Sequence, residues 1–188
     1  MAILGRPALG RAGRILVVGL AWLLLPAALA AQTASREYQV KAVFLFNFTQ
    51  FVEWPAAAFS APDAPLVIGI LGDDPFGPLL EEAIRDERIG EHPLQLRRFP
   101  NFEQVDCHIL FISRSGTGRL EPLWDALAGK AVLTVSDAEN SARRGVMIRF
   151  VNENNRIRLR INLEAAKRAG LTISSKLLRS AEIVRDAR

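Results

Sequence analysis

Few side chains in this sequence could ligate a metal or attack a substrate. There are two histidines and one cysteine in 188 residues. Cys107 and His108 are neighbours in the run CHILFIS (107–113), whose apolar and β-branched character predicts a strand. Adjacent strand residues point to opposite faces, so these two can neither share an ion nor form a thiolate–imidazole pair. His92 stands apart, before Pro93, and no pair of ligand types has zinc spacing, so no metal or other cofactor is expected. No Gly-x-Ser-x-Gly elbow is present either.

Two places remain. Asp73 and Asp74 follow PLVIGILG (65–72), a continuous apolar run that predicts a strand buried on both faces. In an open α/β sheet, ligands settle at the carboxyl ends of strands, which is where this acidic pair falls. Acid–base chemistry would need a second catalytic group, and none accompanies them; capping of the next helix by one Asp, with the other solvated, is the plainer role. SRSGTGR (113–119) ends another strand. Ser113 and Ser115, two glycines and two arginines could cradle an anion at a helix start, although the composition is also that of an ordinary turn. Arg156, Arg158 and Arg160 alternate with Ile157, Leu159 and Ile161, which predicts an edge strand with one wet face and one dry face.

The elements that must hold these residues follow from hydrophobic period and punctuation. Residues 38–54 predict a helix stopping at Pro55. Then come a strand (65–72), a helix from Asp73, a strand (92–99), a strand (107–113), a helix ended by Gly129, and a strand (131–137). GVMIRFV and RIRLRINL, separated by NENN, predict a hairpin, and two helices follow, the last running from Ser174 or Ser175 to the end. This order predicts a three-layer α/β domain. Its central sheet is mostly parallel and flanked by helices, with an antiparallel hairpin at the C-terminal side.

The first helix contains KAVFLFNFTQFV, apolar nearly all the way round. Such a helix lies in a core, under a partner, or in a membrane. Its apolar run of about eleven residues is too short for a bilayer, which needs about twenty. Val40, Phe44, Phe48 and Phe51 form one stripe assigned to the sheet; Leu45, Phe46 and Val52 lie off it and need a second cover, from this chain or another.

The N-terminus has its own pattern. Arg6, Arg11 and Arg14 precede an unbroken apolar run, Ile15–Leu25, and Ala28 and Ala30 stand at the small positions before a cleavage point. Residues 1–30 therefore read as a signal peptide and residues 31–188 as the exported domain, with no stable membrane insertion after cleavage. The full chain has 24 basic and 20 acidic residues; without the three leader arginines the balance is 21 against 20. A nearly neutral domain gives no basis for nucleic-acid binding. A lone Cys107 makes no internal disulfide, so stability must come from packing.

Taken in order, YQVKAVFLFNFTQFVEWP, PLVIGILGDDPFG, CHILFIS, VLTVSD and INLEAAKRAGLTISSKLLRSAEIV resemble the YfiR family of periplasmic proteins from about Tyr38 to Val184. The resemblance implies a small exported α/β protein without catalysis. It would bind the periplasmic sensor domain of an inner-membrane diguanylate cyclase, repress it and keep cyclic di-GMP low. Characterised relatives use cysteine pairs for redox sensing, and Cys107 has no partner within the chain. On this reading the receptor contact is expected at Phe46 and Val52 on the first helix and at Leu171 and Ile173 in AGLTISS. The alternative is a periplasmic small-molecule sensor with its ligand near Asp73, Asp74, Ser113 and Ser115. A homodimer stays open.

Overall fold

The computed structural model describes residues 35–185, so the leader read at residues 1–30 lies outside the described part. The sheet is built around β2 (Leu66–Leu71), all six residues of which are buried. Leu66, Ile68 and Ile70 enter one apolar cluster, while Val67 and Leu71 enter a second on the other side. That alternation is why the strand had to be apolar throughout. Gly69 faces the second cluster. A Cβ there would lie 2.6 Å from the Phe99 ring and 2.9 Å from Cys107 Sγ, so the missing side chain is the space Phe99 occupies.

Eight strands hydrogen-bond in the order β10 (Ala181–Val184), β8 (Arg156–Asn162), β7 (Ile148–Glu153), β6 (Leu133–Ser136), β5 (Ile109–Ile112), β2, β4 (His92–Phe99) and β3 (Arg88–Ile89). All pairings are parallel except β7–β8 and β3–β4. The β7–β8 turn is made by Asn154 and Asn155, both left-handed at φ +52° and +58°, as a two-residue hairpin turn that matches strand twist requires. Helix α1 (residues 35–51), α2 (Pro78–Ile84), α4 (Leu163–Arg168) and α5 (Ser175–Leu178) contribute Leu45, Phe48, Leu80, Ala166 and Leu177 to the first cluster. Helix α3 (Leu120–Leu127) covers the opposite face with Leu120, Leu123 and Leu127. The chain is thus α/β in three layers, as its element order implies.

Three local readings change. The buried stripe of α1 is Ala42, Leu45, Phe48 and, just past its end, Val52; Val40 is 45 % exposed. An apolar pattern without a polar side carries no phase, and the rotation is set instead by Lys41, which is buried beside the sheet. The helix also stops three residues early, because Val52–Glu53 (β1) pairs antiparallel with Thr172–Ile173 (β9). Finally, the last helix is only the four-residue α5, capped by Ser174 Oγ, and Ala181–Val184 becomes a strand parallel to β8. The β7–β8 hairpin is therefore not the sheet edge; β10 is. Four residues of helical sequence cannot outweigh a row of ladder bonds offered by β8.

Candidate functional site

The strand order reverses around β2: the chain moves from β2 to β4 on one side and then to β5 on the other. The crevice at the carboxyl ends of β2 and β5 is where such sheets hold ligands, and four expected residues meet there. Gly72 takes φ +86°, and a Cβ on it would lie 2.5 Å from Ser113 Oγ and 2.7 Å from Ser115 Oγ. Ser113 Oγ lies 3.0 Å from Ser115 Oγ, and Ser115 Oγ accepts from the Asp73 amide at 2.9 Å. The two loops are thus stitched together over the switch point. The 113–119 segment is a tight turn, Arg114–Arg119, packed with its Gly116 against Leu71.

Asp74 is committed to structure. Its Oδ1 accepts from the Phe76 and Gly77 amides ahead of α2, and its Oδ2 accepts from Arg98 Nε at 2.7 Å. The helix itself begins at Pro78, whose fixed φ suits the first turn. Asp73 is exposed, and its amide holds Ser115. Beside this stitch lies a cavity of about 410 Å³, walled by Leu71, Gly72, Asn101, Phe102, Ser115 and Gly116. Asn101 Oδ1 is buried without a hydrogen-bond partner among the described residues.

One strand further along, sequence reasoning missed a cluster. Asp137 follows β6 at its carboxyl end and is buried. Lys41 Nζ donates to Asp137 Oδ2 at 2.6 Å, and Tyr38 Oη donates to the same oxygen at 2.9 Å. The Lys41 ammonium also sits 4.4 Å from the Tyr38 ring centroid. Tyr38 in turn meets the Phe76 ring edge-on at 5.4 Å, and Phe76 packs on Phe111 of β5 at 4.8 Å. Burying a carboxylate at this depth calls for a cationic partner and hydrogen bonds, and both are present. The signal was available: a single Lys opening the largely apolar stretch KAVFLFNFTQFV, and a single Asp closing VLTVSD.

The other predicted contact residues lie within the chain's own packing. Val52, Leu171 and Ile173 are 4 %, 2 % and 7 % exposed and belong to the first cluster. Ladder bonds between β1 and β9 bring Val52 opposite Ile173. A receptor docking on this fold finds little of these three side chains, so the expectation placed on them gives way. Phe46 is partly buried against the same cluster. The large apolar side chains α1 leaves open are Val40 and Val43, at 45 % and 50 %.

At the opposite end of the sheet, His108 lies between strands and cover. The Val67 amide donates to its Nδ1 at 3.0 Å, so Nε2 carries the proton and donates to Ala58 O at 3.1 Å. Phe59 stacks between the two imidazoles, 4.5 Å from His108 and 3.9 Å from His92. Burial holds the His108 imidazole below its ordinary value of 6.5. The neighbouring Cys107 thiol is pushed up to about 12 by burial and by the charge of Asp106. It is therefore protonated at any ordinary pH and inert as a nucleophile. Among the described residues, no group of three His, Cys, Asp or Glu could hold a metal ion.

A family model described as YfiR/HmsC-like matches residues 38–182. The chain belongs to the YfiR/HmsC-like family. The match begins at Tyr38 and ends at Glu182, and so takes in both partners of the Lys41–Asp137 pair and the first two residues of β10. No curated protein matches the chain. Against the family's expected redox pairing, this YfiR/HmsC-like chain offers one buried cysteine. Among its described residues, no helix is long and apolar enough to cross a membrane.

Proposed function

We propose that this chain is an exported regulator that binds the periplasmic sensor domain of an inner-membrane diguanylate cyclase and holds that enzyme at rest, lowering cyclic di-GMP. The observation that carries the reading is family membership over residues 38–182. The work is done by occupancy. A bound protein shifts a receptor only by its difference in affinity for the two states, and turning a receptor from 1:99 to 99:1 takes about a 10⁴-fold preference. The contact surface we assign is the outer side of α1, with Val40 and Val43 exposed and Phe46 one turn beyond Val43. Residues three apart on a helix are surface neighbours, so these three make one apolar strip.

The test is a titration of the exported domain, residues 31–188, against the periplasmic domain of a membrane diguanylate cyclase from the same genome. Saturable binding is expected, together with higher cellular cyclic di-GMP when the chain is deleted. Absence of both overturns the reading.

A second reading, a sensor of small molecules, is favoured by the unpartnered Asn101 Oδ1 beside the cavity at the β2 and β5 ends. Its ligand would present a donor to Asn101 and polar groups to Ser115 and the exposed Asp73. Ser113 is nearly covered and would act by orienting Ser115. Thermal-shift screening against metabolites checks it, since a ligand for the native state raises the melting temperature.

A further inference from the structure

Arg149 stands on β7 directly opposite Arg160 of β8 in the antiparallel register. Like charges placed opposite one another in a sheet repel, and each needs its own compensation. Arg160 has it: its Nε donates to Glu182 Oε2 at 2.8 Å, and its Nη2 lies 3.6 Å from Glu153 Oε1. Arg149 does not. No carboxylate among the described residues pairs with it, and its Nε is buried without a hydrogen-bond partner.

The space next to Arg149 is a cavity of about 450 Å³. It lies on the side of β7 and β8 that carries the arginines, away from the Leu159 and Ile161 side that joins the first cluster. Arg143, Arg149, Arg160 and Arg185 line it, against the single carboxylate of Glu182. Arg143 and Arg185 are exposed and, like Arg149, make no ion pair among the described residues. Around one concavity, three guanidiniums thus have no counter-charge among the described residues. A water molecule would satisfy the Nε donor but offset none of that charge. Guanidinium forks match the oxygens of phosphate and sulfate groups, and the volume suits a molecule rather than a bare ion.

We infer that this pocket binds a small soluble molecule carrying a phosphate- or sulfate-type oxyanion, with Arg149 and Arg185 as its direct ligands. The pocket is lined by no residue of α1, so the site is separate from the receptor surface proposed above and can fail without it.

The probes are inorganic phosphate and pyrophosphate, titrated calorimetrically into the 31–188 domain at ionic strength held constant with chloride. Saturable binding is expected, tighter for pyrophosphate. Arg149→Gln should weaken it by about tenfold or more, as loss of a charge-assisted donor implies. Arg185→Gln, at an exposed position that keeps the fold intact, should weaken it severalfold. Arg85→Gln, which does not line the pocket, should leave it unchanged. No saturable heat, or equal affinity in the native chain and Arg185→Gln, overturns the inference. So does binding to phosphatidylglycerol vesicles without any response to the soluble anions.

Discussion

Lys41 and Asp137 lie 96 positions apart in sequence, yet their side chains meet at 2.6 Å, 2 % and 3 % exposed. The pair fastens the first helix to the carboxyl end of β6, and Tyr38 Oη donates to the same carboxylate oxygen. Taking the cation away from a carboxylate that stays buried costs about 3–5 kcal/mol. Lys41→Met should therefore be strongly destabilising in urea denaturation. The double change Lys41→Met with Asp137→Leu should recover much of the loss, since replacing a buried pair by apolar groups is often near neutral. A double variant as unstable as the sum of its singles would show that the two side chains are not coupled.

Leu171 and Val43 separate packing from docking. Leu171 is 2 % exposed, so Leu171→Asp buries an unpaired carboxylate and should cost several kcal/mol or prevent folding. Val43→Glu, at 50 % exposure, should leave the unfolding midpoint nearly unchanged. It should nevertheless weaken binding to the cyclase sensor domain by about tenfold or more, as loss of an apolar contact residue at an interface does. Full-strength binding by Val43→Glu would remove α1 from the contact.

His108 makes stability depend on pH. Its folded-state value is depressed by burial below 6.5, and in the unfolded chain it returns to about 6.5. The unfolded state therefore binds the extra proton first as pH falls. The contribution is fully present above about pH 6.5 and is lost as pH drops through the folded-state value. Urea midpoints measured between pH 7.5 and 5 should decline for the native chain. They should decline less for His108→Asn, which keeps an acceptor near the Val67 amide.

Cys107, with its thiol pushed up to about 12, should resist labelling. At pH 8, Ellman's reagent should react at least a hundredfold more slowly with the folded chain than with the chain in urea, because so little thiolate is present or accessible. Fast native labelling would mean that the β5 side of the second cluster opens readily.

The two aspartates after β2 should differ. Asp74→Ala removes an acceptor for two amides and one guanidinium, and should cost about 1–2 kcal/mol, in the range of a lost helix cap. Asp73→Ala, at an exposed side chain whose amide makes the bond to Ser115, should be within about 0.5 kcal/mol of native. Neither change should affect receptor binding.

Long apolar runs made the sheet legible. LVIGIL and ILFI contain nothing a solvent-facing strand would tolerate, and the double-asparagine turn between β7 and β8 announced the hairpin. The acidic pair and Ser113 were placed at strand ends for the same reason. Positions decided by distant partners were not legible. Val52 and Ile173 become core because β1 meets β9, and nothing local in either two-residue strand signals that meeting. Ala181–Val184 has as good a claim to helix as to strand until β8 is beside it. Arg149 reads as one more solvated strand arginine until register sets it against Arg160.

The β10 pairing has a consequence for how the molecule is made. Four of the residues on β8 pair in register with a strand synthesised some twenty residues after them, with α4, β9 and α5 in between. Until that late segment docks, β8 presents an unprotected ladder, the kind of template on which neighbouring copies add to one another. A transcript stopped at Ser180 would yield a chain with nearly all of its interior and no seal, and its failure would be seen as inclusion bodies instead of as lost affinity.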